Sequence, residues 1–145
     1  MGIANMLIKC PYEPPVGYNW TGRGLNSSLS FQGVAYGNGV YVAVSRSAGG
    51  TAPYNNYTSV DGINWTPREM IGGYGFPKDL TDIVFGNGRF VGLTPNCDQT
   101  VTSTDGINWT ASARFQTGST SLDKLGYGNG LYVINGAYSI RTSTN

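Results

Sequence analysis

The side chains able to do chemistry are few in this 145-residue chain, and they stand far apart. There is no histidine, which removes Ser-His-Asp and Cys-His nucleophile systems and every His-ligated metal site. Cys10 and Cys97 are 87 positions apart (97 − 10). That spacing fits neither a disulfide framework nor a cysteine metal site, and it reads as two free or buried thiols. A bridge from the N-terminal arm to the body is the other reading. Glu13 and Glu69 are the only glutamates, so the converging carboxylate pair of a glycosidase is missing its usual members. Nine Lys/Arg against eight Asp/Glu leave a net charge of +1, which makes no electrostatic case for nucleic acid or an anionic membrane. No apolar stretch is long enough to span a bilayer, and the first residues lack signal-peptide architecture. The balance favours binding or structure over catalysis, with no cofactor and no metal.

What the chain has instead is 22 glycines, 10 tyrosines and only 12% charged residues, the composition of a β protein with many turns. An internal repeat organises them. Residues 31–44 return at 80–93 and at 122–135, each copy centred on an aromatic-Gly-Asn-Gly run (36–39, 85–88, 127–130). A second unit, Thr-Ser-x-Asp-Gly-Ile-Asn-Trp-Thr, spans 58–66 and 102–110, placing Trp65 and Trp109 44 residues apart (109 − 65). Asn-Gly between two apolar runs is a strong hairpin signal, because a type I′ turn needs positive φ at both central residues. Asn38-Gly39, Asn87-Gly88 and Asn129-Gly130 supply it, and Asp61-Gly62 and Asp105-Gly106 are expected to do the same for the second hairpin. Each period therefore predicts four short strands, A to D. In the B strands Val42, Val91 and Val133 share one face and Tyr41, Phe90 and Tyr132 the other, as expected of a sheet sandwiched between neighbours.

Residues 59–65 and 103–109 resemble the Asp-box (BNR-like) repeat, the Ser/Thr-x-Asp-Gly-x-x-Trp turn of sialidases and many other β-propellers, including phage virion and bacterial surface proteins. The resemblance implies an all-β chain of four-stranded antiparallel propeller blades. It makes Ser59, Asp61, Gly62, Trp65, Ser103, Asp105, Gly106 and Trp109 structural, the Asp capping amides of its own turn and the Trp packing beneath. Sialidase activity would need an arginine cluster, a Tyr-Glu nucleophile and an acid Asp, and no A strand carries an Arg. A sialidase-like fragment is thus the weakest reading. Five Asn-x-Ser/Thr sequons begin at Asn19, Asn26, Asn56, Asn64 and Asn108; three are the repeat's own Asn-Trp-Thr and read as turn chemistry rather than glycosylation.

The chain starts its pattern at residue 17 in the second half of a box and stops at 145 where a third box would reach its Asp. The order is D, ABC-D, ABC-D, ABC, which gives three blade-equivalents over residues 17–145 after an arm of residues 1–16. Closed propellers have about four to eight blades, so a head-to-tail pair of chains forming one six-bladed ring is expected. Its closure would pair Arg141, Ser143 and Asn145 of one chain with Tyr18 and Trp20 of the other, since bare strand edges favour association. A module of a longer chain and a consensus-like synthetic fragment are the alternatives.

In a propeller the AB and CD turns share one rim and the BC and DA loops the other. The segments that differ between copies (45–56, 94–99, 136–138; 22–30, 67–79, 111–121) fall on the second rim, and loops on a rigid scaffold commonly carry binding. Tyr54, Tyr74, Phe76, Arg68, Asn96, Asp98, Gln99 and Arg114 are the candidate ligand-binding residues there, suited to a protein or a glycan. Residues 1–16, with Pro11, Pro14 and Pro15, read as an extended tether to other virion proteins. The expected role is a non-catalytic component of a phage particle (tail fibre, baseplate or capsid decoration), virion-bound or extracellular; a free-standing lectin is the rival.

Overall fold

The computed structural model describes residues 19–25, 29–46, 56–70, 79–95, 99–112, 122–136 and 139–143. Among them are eleven strands and no helix. Strands β1 (Ser30–Gly37), β2 (Val40–Arg46), β3 (Asn56–Ser59) and β4 (Thr66–Arg68) form an antiparallel sheet in chain order, here blade 1. Blade 2 repeats it with β5 (Asp82–Gly86), β6 (Arg89–Leu93), β7 (Thr100–Ser103) and β8 (Thr110–Ala111). Blade 3 has β9 (Leu122–Gly128), β10 (Leu131–Gly136) and β11 (Ile140–Ser143). Three strands of it lie among the described residues.

The first hairpin of every blade follows from its Asn-Gly. Asn38, Asn87 and Asn129 have φ of 49°, 44° and 48°, and Gly39, Gly88 and Gly130 have 80°, 74° and 76°. Positive φ at both positions matches the turn's twist to that of its strands, and Asn tolerates it better than most residues. The expectation for the second hairpin is corrected. Gly62 and Gly106 have positive φ but Asp61 and Asp105 do not, so the connection is not a two-residue type I′ turn. Its residues 60–65 and 104–109 instead form a wider loop organised by the Asp side chain.

The core lies between the blades. First strands β1, β5 and β9 are successive neighbours. Val42 and Val44 of blade 1 pack with Leu80 and with Ile83, Phe90, Val101 and Trp109 of blade 2, and with Met70. Leu93 of blade 2 meets Ile134 and Leu125 of blade 3. Each fully buried side chain of this kind contributes about 1.5–3 kcal/mol. The two-sided burial expected of the B strands is complete in blade 2, where Phe90 and Val91 are both buried. In the outer blades it is one-sided: Val42 and Tyr132 are buried, while Tyr41 and Val133 are half-buried. The half-buried faces are those with no further blade against them among the described residues.

Candidate functional site

The Ser-x-Asp-Gly-x-x-Trp turns come first, because their carboxylates are the obvious reactive groups. Asp61 Oδ1 accepts from the amides of Ile63 and Asn64, both at 2.8 Å, and from Ser59 Oγ at 2.9 Å. Its Oδ2 accepts from Asn64 Nδ2 at 2.8 Å. Ser59 Oγ in turn accepts from the amide of Gly62 at 2.9 Å. Asp105 repeats the pattern with Ile107 N and Asn108 N at 2.8 Å, Ser103 Oγ at 2.9 Å and Asn108 Nδ2 at 2.7 Å. Such a short polar side chain closing on amides two and three residues ahead is an Asx-type turn.

These donors stabilise the ionised form. The amides of Asn64 and Ile63, with the side chains of Asn64 and Ser59, hold the Asp61 carboxyl well below the usual carboxylate range. At Asp105 burial opposes ionisation, but the amides of Asn108 and Ile107 and the side chains of Asn108 and Ser103 outweigh it and lower the carboxyl to about 2. Both groups are permanently charged at neutral pH and engaged by their own loops, a poor starting point for a proton shuttle or a metal ligand.

The two tryptophans differ. Trp65 is half-buried and donates from Nε1 to the Gly62 carbonyl at 3.2 Å, whereas Trp109 is buried in the core between blades 1 and 2, its Nε1 without a partner among the described residues. Three of the five sequon asparagines are spent on structure: Asn64 and Asn108 bond their Asp, and buried Asn56 donates to the Gly106 carbonyl at 3.1 Å. The turns of adjacent blades also touch, Asn38 Nδ2 donating to the carbonyls of Gly88 at 3.1 Å and Thr104 at 2.9 Å. The Asn-Gly and Ser-x-Asp-Gly turns therefore share one rim.

Of the residues expected on the opposite rim, Tyr54, Tyr74, Phe76, Asn96, Asp98 and Arg114 lie outside the described residues; so do Tyr18, Asn145, Cys10, Cys97 and the arm. Arg68 is half-buried on β4, its Nε donating to Thr58 Oγ1 at 3.0 Å. Gln99 is buried, its backbone carbonyl accepting from Thr94 Oγ1 at 3.0 Å. Of the expected closure residues, Trp20 is exposed, and Arg141 and Ser143 lie on β11, at the edge of its three-stranded sheet.

Residues that the sequence reading passed over join the blades. A Cβ added at Gly37 would fall on the ring of Phe85, and one at Gly86 on the ring of Tyr127. Phe85 and Tyr127 are thus each seated between the glycine of the preceding blade and the second-strand aromatic of their own: Phe85 against Phe90 at 4.8 Å, Tyr127 against Tyr132 at 4.7 Å. Tyr132 donates to the Gly86 carbonyl at 2.5 Å, and burial with the Tyr127 hydroxyl nearby raises its pKa, opposed by Arg89. Asp82 Oδ2 accepts from the Leu125 amide at 2.8 Å, tying blade 2 to blade 3. The signal for the glycines was present, an aromatic-Gly pair before every Asn-Gly, but it was absorbed into the turn.

Antiparallel sheets of four, four and three strands in series, packed face to face with their first strands adjacent, define a β-propeller-like fold. No family model matches the chain, and no curated protein matches its sequence. Among solved structures it is similar to YCF48 bound to D1 peptide, a β-propeller protein, with a TM-score of 0.60 and 18% identity. The match covers 89% of this chain and 41% of that one, so the chain spans less than half the length of its structural neighbour. At that identity the likeness shows the fold. Among the described residues no group of His, Cys, Asp or Glu is placed to hold a metal ion, and no helix is long and apolar enough to cross a membrane.

Proposed function

We propose that this chain is a non-catalytic β-propeller module of the Asp-box kind that acts by binding a protein partner. It forms half of a ring completed by a second copy, and it presents the rim opposite the Ser-x-Asp-Gly turns. The carrying observation is the saturation of Asp61 and Asp105 by their own loops, which commits one rim to scaffold and leaves recognition to the differing segments of the other. That YCF48 is bound to a peptide supports a protein segment as the ligand class. The setting is a phage particle, as a fibre, baseplate or decoration protein, with the arm of residues 1–16 as its tether.

Replacing residues 45–56 and 67–79 with Gly-Ser loops is expected to abolish binding to purified particle proteins while the β-sheet circular dichroism is unchanged. Removing residues 1–16 is expected to abolish incorporation into particles. Retained binding after loop replacement would sink the rim assignment. Binding on a glycan array without protein binding would transfer the role to a lectin. Turnover in a broad glycoside-hydrolysis screen would remove the non-catalytic reading.

A further inference from the structure

The geometry points to one interface present in two halves at opposite ends of the chain: Tyr36 of one copy seats on Gly128 of a second copy. This rests on the reading that two copies complete a ring, and it supplies the contact that closes it.

The rule is set by the internal junctions. Gly37 of blade 1 receives Phe85 of blade 2, and Gly86 of blade 2 receives Tyr127 of blade 3. The next glycine in that series, Gly128, has nothing within 4 Å of an added Cβ among the described residues. The aromatic with no glycine to enter among the described residues is Tyr36, 56% exposed and packed against Tyr41 at 4.4 Å as its counterparts pack against Phe90 and Tyr132. The surroundings follow. Val34 is 60% exposed where its counterpart Ile83 is 3% exposed. An open groove of about 480 Å³ borders Val34, Phe31, Gly62 and Trp65, where blade 2 at the same positions is covered by blade 1.

The polar contacts translate as well. Tyr41 pairs with Tyr36 in the register that Tyr132 has with Tyr127, so its hydroxyl takes the Gly128 carbonyl of the second copy as Tyr132 takes Gly86. Asn129, with the same positive φ as Asn38, takes the Gly39 and Val60 carbonyls of the second copy as Asn38 takes Gly88 and Thr104. At the outer edge, among the described residues, no fourth strand pairs with β11 and Arg141 Nε has no partner, and Ile140 is 74% exposed; Trp20, 87% exposed, lies in the segment that would supply that strand. Plug and socket both belong to this chain, so the contact is heterologous and must either close or polymerise. Three blades from each of two copies fall within the about four to eight that close.

Sedimentation equilibrium of the full chain tests this. The expected mass is twice the 15.4 kDa of one chain. Gly128→Ala, whose methyl meets open space among the described residues, is expected to keep the wild-type circular dichroism and weaken pairing at least a hundredfold, because an overpacked contact is strained at both junctions. Tyr36→Ala is expected to weaken it comparably, by removing the plug. A wild-type chain at 15.4 kDa would overturn the second copy itself. Pairing that survives both substitutions would leave the second copy standing and overturn this contact. Masses of three or more chains would overturn closure by two.

Discussion

Blades 1 and 2 are built from the same two hairpins, yet equivalent positions have opposite fates. Leu80 and Ile83 are buried, while Phe31 and Val34 at the same places in the repeat are exposed. Gly106 packs against Val42, while Gly62 meets only the edge of the Tyr41 ring. Trp109 is sealed in the core and Trp65 is half-open. Residue type does not account for this, since Phe31 is as apolar as Leu80. The presence of a preceding blade does. In a stacked repeat each unit buries its face only on its neighbour, and a face that keeps apolar side chains without one marks where a neighbour belongs.

The sharpest way to break this comparison is truncation of the paired positions. Leu80→Ala is expected to cost about 3 kcal/mol, as a fully buried leucine does, and Phe31→Ala less than about 1 kcal/mol in the separate chain, both read by urea denaturation. Equal losses would mean that exposure does not separate the two faces. The next effect is steric. Gly86→Ala drives a methyl into the Tyr127 ring and is expected to cost about 2–3 kcal/mol, against no measurable change in the separate chain for Gly128→Ala, whose site is open.

The smallest effect concerns the loops. Removing the amide caps by Asp105→Ala is expected to cost about 1 kcal/mol, since the group is exposed and its bonds are screened. Asp105 has a folded pKa lowered to about 2 from 3.8, and Asp61 is lowered too. Their stabilisation is therefore full above the ordinary carboxylate pKa and is lost as pH falls from about 4 toward 2. Denaturation midpoints at pH 7, 4 and 2 should converge for wild type and Asp105→Ala at the acid end. A constant gap across that range would assign the loss to something other than the carboxylate.

The strands were legible because their signals are local. Asn-Gly forces its turn, alternation sets the faces, and the repeat multiplies both. The second hairpin was misjudged because Asp-Gly alone suggests a two-residue turn, whereas the Asp carboxylate gathers amides two and three positions ahead and opens the loop. The joints were harder to see. Gly37 and Gly86 look like turn glycines until a ring from the adjacent blade is found above them, and Asp82 has no counterpart in the other copies to announce its bond to Leu125. At the variable rim, Arg68 and Gln99 show the difficulty: a loop position suggests availability, yet one is engaged by Thr58 and the other is buried.

The seated aromatic has a consequence for how the chain comes apart. Blade 2 holds a ring in the glycine of blade 1 and receives one from blade 3, while each outer blade is clasped on one side only. Coupling between nearest neighbours makes opening an unzipping from the termini, with β5, β6 and β7 the last to surrender their amide protons to exchange. An outer blade cannot swing away without withdrawing a ring from its neighbour, so fraying at either end loosens the middle in the same event. Closing the circle would abolish the ends, and the exchange rates of the three sheets would then draw together.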